Sequence, residues 1–178
     1  SVHDFGVLQK YNIKINSIFS ATAQCYFTDY KTKTQLKETE TKADYYSDNF
    51  QQNYIKPEIQ FNAKINNKHK FIFGSGWIKE TVQTNRYGQS NTKEQNTLFD
   101  FIQHEWDINQ KFTTITGLRF DYNSVYHDQW SPKFAVIYKV LPSFHIKASI
   151  GKGFKAPDFR QLYLNFNNAA AAYSVYGT

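Results

Sequence analysis

Apolar and polar residues alternate with a period of two along most of this chain. Ile59, Phe61, Ala63 and Ile65 stand against Gln60, Asn62, Lys64 and Asn66, and Phe144, Ile146, Ala148 and Ile150 against His145, Lys147, Ser149 and Gly151. The same parity holds for Leu118, Phe120 and Tyr122 against Gly117, Arg119 and Asp121. A pleated strand throws successive side chains to opposite faces, so each run predicts a strand with one apolar and one polar face. Strands are expected at about 3–9, 13–31, 54–65, 70–84, 96–108, 112–122, 132–140 and 144–152. The pattern is mixed between 98 and 108, where Ile102, His104, Trp106 and Ile108 share one parity while Phe99 and Phe101 take the other. Phe71-Ile72-Phe73 and Val136-Ile137-Tyr138 are apolar on both faces, as expected of strands with lipid on one side and an internal segment packed on the other.

The connections alternate in length. Short turns rich in Asn, Lys or Pro are expected at 66–69, 109–111 and 141–143, and long polar connections at 33–53, 85–95, 123–131 and after 152. Tight turns at one end and extended loops at the other are the pattern of a membrane barrel, whose tilted strands need roughly 9–11 residues to cross a bilayer. A soluble sandwich has strands of about 5 or 6 residues and no reason for its loops to alternate. The reading is therefore all-β, an antiparallel transmembrane β-barrel segment of about eight strands, with residues 1–178 forming part of one barrel domain.

Composition modifies that picture in two places. The chain is 40% hydrophobic with a mean hydropathy of -0.63, and it has no run near the roughly 18 apolar residues of a spanning helix. Barrel strands pass beneath such a test because half of their residues face the lumen. Phe, Tyr and Trp make up 18% of the residues, which suits interfacial girdles and also a Tyr-rich soluble β domain. The net charge of +6 is spread among interleaved acids without a basic block, so solvated surface charge is expected and nucleic acid is not a partner.

Candidate chemistry is sparse. Cys25 is the single cysteine, which leaves no intramolecular disulfide; it shares parity with Phe19, Ala21, Ala23 and Phe27 and is expected to be buried or lipid-facing. His3, His69, His104, His127 and His145 show no metal-ligand spacing, and strands are expected to send them to different hairpins, so no metal site is assigned. There is no nucleophile elbow and no phosphate loop, so an enzyme is not expected and no cofactor is assigned. Gly74, Gly76, Gly151 and Gly153 are read as places where a strand bends or another segment approaches closely. The run from Ala169 to Ala172 is given no function.

The stretch Ser149-Ile150-Gly151-Lys152-Gly153-Phe154-Lys155-Ala156-Pro157-Asp158-Phe159-Arg160-Gln161-Leu162-Tyr163 carries a strand into a glycine-spaced exit and a Pro-started segment. Its Gly153, Phe154, Lys155, Ala156 and Pro157 resemble the Gly-aromatic-basic-Ala-Pro box of TonB-dependent outer-membrane receptors. Trp130-Ser131-Pro132-Lys133-Phe134-Ala135-Val136-Ile137-Tyr138 is similar to the segment that precedes that box, and Phe101 to Trp106 with Thr116 to Tyr122 is similar to an upstream hairpin of the same receptors. The ordered resemblance covers roughly residues 54–165.

The resemblance implies a receptor in the bacterial outer membrane that binds a scarce nutrient, an iron chelate, haem or cobalamin, and imports it with energy from the TonB complex. It also implies a 22-stranded barrel around an N-terminal plug, with the plug and the other strands lying outside these residues. TonB would act through that plug, the barrel would contact outer-membrane lipids, and a surface lipoprotein or larger assembly is a further partner of this class. In haem receptors the box carries Arg where Lys155 stands, followed by a ligating His that has no counterpart here. Ligand-facing candidates lie in the long connections: Tyr45, Tyr46 and Phe50; Arg86 and Tyr87; Tyr126, His127 and Trp130. Aromatic and Arg side chains suit capture of a planar or anionic chelate. Two other readings stay open: a complete eight-stranded barrel with a structural or adhesive role, and a soluble β-sandwich that binds carbohydrate.

Overall fold

A computed structural model describes residues 1–37, 39, 41–42, 44–87, 91–168 and 173–177, with backbone alone for 44–46, 166–168 and 173. Eight strands form one antiparallel sheet in chain order: β1 (Val2–Lys14), β2 (Phe19–Lys37), β3 (Asp44–Lys64), β4 (His69–Thr84), β5 (Thr92–Asp107), β6 (Phe112–Asn123), β7 (His127–Leu141) and β8 (Phe144–Gly151). A short helix α1 (Phe159–Tyr163) and a small hairpin of β9 (Asn165–Asn168) and β10 (Tyr173–Tyr176) follow. Among the described residues β1 and β8 remain the two edges of the sheet, so these eight strands do not close on themselves. They also form one continuous sheet, where a sandwich needs two packed face to face. The Ala169 to Ala172 run lies outside the described residues.

Three of the turns at one end share an asparagine device. The Asn16 carboxamide oxygen accepts from the backbone of Ile18 and Phe19, that of Asn66 from Lys68 and His69, and that of Asn109 from Lys111 and Phe112, all within 2.7–2.9 Å. Such side-chain mimicry of a backbone turn satisfies amides that the ladder leaves unpaired. It also moves the first turn: a break was expected after residue 9, yet β1 continues to Lys14 and turns at 15–18.

The register separates the two faces. One carries Phe19, Ala21, Ala23, Cys25 and Phe27 on β2, Ile55 to Ala63 in alternation on β3, and Phe71, Phe73 and Trp77 on β4. It continues with Leu98, Ile102 and Trp106 on β5, Leu118, Phe120 and Tyr122 on β6, Trp130, Phe134, Val136 and Tyr138 on β7, and Phe144, Ile146 and Ile150 on β8. Many of these large apolar side chains are exposed, which in water would be unfavourable. On β2, β3, β5 and β7 the band runs from Phe19 to Phe27, Ile55 to Ala63, Leu98 to Trp106 and Trp130 to Tyr138, close to the roughly 9–11 residues of a bilayer crossing. The opposite face carries Gln24, Gln60, Asn62, Glu58, Lys70, Gln103, Arg119 and Lys133.

The band stops at Phe27, Ile55, Trp77 and Leu98, but the strands do not. Beyond it the same face turns polar with Asp29 and Lys31, Lys79 and Glu94, joined as ion pairs of 2.7 and 3.0 Å. The long connection expected at 33–53 is for the most part ladder, with β2 and β3 paired out to Lys37 and Asp44. Likewise β4 reaches Thr84 and β5 starts at Thr92, while β7 already begins at His127. Neither face of these extensions meets lipid, and only the strap covers part of one, so they carry no apolar period, while Thr, Tyr and Gln in ladder pairing satisfy their backbone.

Aromatic stacking marks the short-turn rim of the band. Phe112 stacks on Tyr138 at 4.6 Å, and Phe71, His104, His69 and Trp106 form a column, with His104 4.3 Å from Phe71. The histidines were expected on different hairpins; instead the β4–β5 register brings His69 Nδ1 within 3.0 Å of His104 Nε2. No group of three or more metal-ligating side chains occurs among the described residues.

Single cysteines at Phe61, Phe120 and Ile146, in a Cys25→Ser background of the full-length protein, are expected to be reached by a lipid-phase spin-relaxation agent. Cysteines at Gln60, Arg119 and Lys147, on the other parity, are expected to respond only to an aqueous agent. Equal responses from the two sets would remove the membrane assignment of the band.

Candidate functional site

The polar face is covered at its long-loop end by the chain that follows β8. Lys152 makes the last edge bond, its amide donating to the Pro132 carbonyl at 2.9 Å, and the strap of residues 152–164 then leaves the sheet. Gly153 has nothing within 4 Å of where a side chain would start. Phe154 packs on Tyr126 in the β6–β7 turn at 5.2 Å between ring centroids, while Lys155 and Ala156 stay exposed. The strap therefore passes the β6–β7 end before it reaches β3, β4 and β5.

Asp158 starts α1 with a capping box. Its carboxylate accepts from the Gln161 amide at 2.8 Å, and the Gln161 side-chain oxygen accepts from the Asp158 amide at 3.0 Å. That exchange orders a helix too short to stand alone, and it aims Phe159 at the wall. Phe159 is only 5% exposed and packs with Val82 and Tyr87, with Phe50, Tyr163 and Leu164 around them. The Asn165 amide donates to the Arg86 carbonyl at 2.9 Å, and Lys93 lies over the Tyr163 ring at 5.0 Å.

Beneath this end of the strap lies a cavity of about 260 Å³ lined by Tyr54, Ile78, Glu80, Gln95, Thr97, Tyr126 and the strap residues 156–159. The Thr97 hydroxyl accepts from the Asn123 side chain at 2.7 Å, and Glu80 accepts from the Gln52 side chain. Glu80 lies beyond Trp77, where the apolar band ends; burial, reinforced by the nearby Asp158 charge and opposed by Gln52, raises its carboxyl above the usual range. Burial likewise raises the Tyr87 and Tyr126 phenols, so both remain protonated donors.

Further down the polar face, towards the short turns, sits a ring over glycine. Phe99, fully buried, lies opposite Gly76 on β4, with Arg119 4.3 Å and Lys56 5.3 Å from its centroid. Arg119 forks onto Asp121 with contacts of 2.6 to 3.1 Å, and Lys56 pairs with Glu58 at 2.9 Å. The charges of this wall are thus largely neutralised in place.

The sequence candidates are distributed unevenly. Gly153 to Pro157 begin the strap, Tyr126 holds it, and Tyr87 is buried under it. Arg86 pairs with Asp48 at 3.0 Å, and His127 is exposed with a positive φ of 60°. Trp130 lies on the apolar face against Phe120, at 4.5 Å, away from the cavity. Tyr45 and Tyr46 fall on β3, their side chains outside the described residues. Glu80, Gln95 and Phe159 were missed; the polar parity of β4 and β5 marks the first two as inward, but only the strap makes them a site.

Comparison with known proteins gives a consistent set of relatives. The family model for the TonB dependent receptor-like β-barrel matches residues 2–178. The chain is 30% identical over 127 residues to the vitamin B12 transporter BtuB of Vibrio cholerae serotype O1, covering 70% of this chain and 20% of that protein. It is 26% identical over 113 residues to an iron-regulated outer membrane virulence protein of the same species, covering 62% of this chain and 17% of that protein. A mutant of the ferric enterobactin receptor PfeA of Pseudomonas aeruginosa matches in fold with a TM-score of 0.73 at 15% identity, over 93% of this chain and 28% of that one. The siderophore receptor PirA of Acinetobacter baumannii gives a TM-score of 0.69 at 15% identity, over 92% of this chain and 27% of that one. The chain spans a fifth or less of the length of these two sequence relatives.

Proposed function

Because this chain belongs to the TonB-dependent receptor-like β-barrel family, we propose that it is part of the wall of an outer-membrane receptor. The receptor captures a scarce nutrient, an iron chelate, haem or cobalamin, and imports it with energy supplied through TonB. The observation that carries the reading is the pairing of a bilayer-high apolar band on one face with a polar opposite face roofed by the strap at the long-loop end. In outer-membrane barrels the short turns face the periplasm, and in this reading the ribbon extensions lie outside the cell. The strap end is then the mouth through which a ligand arrives.

Within this reading the remaining strands and a plug complete the barrel from outside these residues. The work is binding and transport, with no reaction on the ligand. Tyr126, Arg86 and His127 are the proposed ligand-side residues from the sequence candidates, together with Tyr45 and Tyr46 on the β2–β3 ribbon, while Tyr87 is buried and anchors the strap. Gly153, Phe154, Lys155, Ala156 and Pro157 carry the chain from the wall onto the mouth. Lys155 takes the place of the Arg in the box of haem receptors, so the box does not single out haem from an iron chelate or cobalamin.

Deleting the gene for the full-length protein is expected to abolish growth on one such nutrient supplied as the sole source, at concentrations too low for passive entry. Disabling TonB in the intact strain is expected to have the same effect. Uptake that survives loss of TonB would overturn the proposal.

A further inference from the structure

Resting on the receptor reading, we propose that the cavity between Glu80, Gln95 and the strap is a subsite for a carboxamide group of an uncharged nutrient. Gln95 is 7% exposed, and its side-chain nitrogen is buried without any hydrogen-bond partner. A buried donor left unpaired is costly, and native structures satisfy such groups with protein, water or ligand. Glu80 stands directly across the ladder from Gln95 on the same face, and both line the cavity. Its carboxyl takes one bond, from Gln52, and keeps acceptor capacity to spare.

The occupant must therefore accept from Gln95 and donate to Glu80 within one small group. A carboxamide does both: its carbonyl takes the Gln95 N–H, and its NH₂ reaches Glu80. An anionic group fits poorly, because it would meet Glu80 and, from the strap, Asp158, and neither carboxyl has an ion-pair partner among the described residues. An ammonium would suit the acids but would leave Gln95 unpaired. Ile78, Pro157 and Phe159 complete the lining with apolar surface, which favours an uncharged, dipolar group over a free ion. Because residues 156–159 form one wall, filling the site also fastens the strap.

The test is equilibrium binding of cyanocobalamin, a carboxamide-bearing probe, and of ferric enterobactin, an anionic one, to the purified full-length receptor. Cyanocobalamin is expected to bind, and Gln95→Leu and Glu80→Leu are each expected to weaken it by about tenfold. Glu80→Gln keeps a carbonyl acceptor and is expected to stay near the wild-type affinity. Hydrogen exchange across 154–164 in the wild type is expected to slow when cyanocobalamin is added, a readout that needs no variant. Unchanged affinity in folded variants, unchanged exchange, or no cyanocobalamin binding overturns the subsite. Binding and TonB-dependent uptake of ferric enterobactin alone overturns it while leaving the import reading standing; loss of all TonB-dependent uptake removes that reading itself.

Discussion

Gly74→Ala is expected to destabilise the folded protein by about 3 kcal/mol, at the upper end of what overpacking costs. A Cβ at Gly74 would stand 2.4 Å from the backbone oxygen of Ile59 on β3 and 2.7 Å from Cζ of Phe101 on β5. The ring could turn away, but the carbonyl belongs to a central ladder and cannot move without breaking its register. At Gly76 the added carbon would meet Phe99 Cζ at 2.3 Å and the Pro57 carbonyl oxygen at 2.9 Å, so the ring takes most of the clash. Trimming the ring with Phe99→Leu is therefore expected to recover part of the loss in Gly76→Ala, whereas Phe101→Leu should do little for Gly74→Ala. Gly117→Ala, with no neighbour nearer than 3.6 Å, is the control and is expected to change stability by about 0.5 kcal/mol or less. Urea unfolding of the full-length protein in vesicles, followed by tryptophan fluorescence, measures all of these. Equal midpoints for Gly74→Ala and Gly117→Ala would mean that the rings and ladder are not as tightly set as the structure places them.

These glycines also show what the sequence made legible. Their spacing read as a place of close approach, which is correct; the approaching groups are Phe101 and Phe99 from the next strand, together with the backbone of β3. The two rings fall on the minority parity of β5, which read only as a mixed pattern, because period alone cannot distinguish a ring lying on a neighbouring glycine from one reaching across a lumen. Within the apolar band the alternation named the strands and faces well, since lipid on one side and water on the other impose the period. It failed where both sides are wet. Lys33 to Lys37 is ladder in the structure but has no apolar phase, so it read as loop. Trp130 followed from that error: with β7 taken to begin at 132 it counted as a loop residue, and with β7 beginning at His127 it belongs to the apolar face beside Phe120. The box at Gly153 to Pro157 was visible as a motif. The cavity was not, because Glu80 and Gln95 become buried only when a segment more than sixty residues further along the chain folds back over them.

That dependence gives the second large effect. Phe159→Ala is expected to release the strap while leaving the eight-stranded sheet intact. The side chain is almost fully enclosed, and truncating a buried Phe costs about 3–5 kcal/mol where the surroundings cannot collapse. The rest of the docking is slight by comparison: the capping box is internal to the strap, the Asn165 to Arg86 bond is a single amide contact, and Phe154 remains partly exposed on Tyr126. A loss of that size exceeds what these contacts offset, so the segment should open locally rather than unfold the wall. Trypsin is then expected to cut at Lys155 and Arg160 in the variant and to spare both in the wild type. Hydrogen exchange should rise across 154–164, while the ladder amides of β3, β4 and β5 below Trp77 keep their protection. Phe159→Leu, which refills most of the volume, should fall between the two. If cleavage and exchange in Phe159→Ala match the wild type, the strap is held by something other than its one buried ring, and the cavity beneath it would not depend on this residue for its wall.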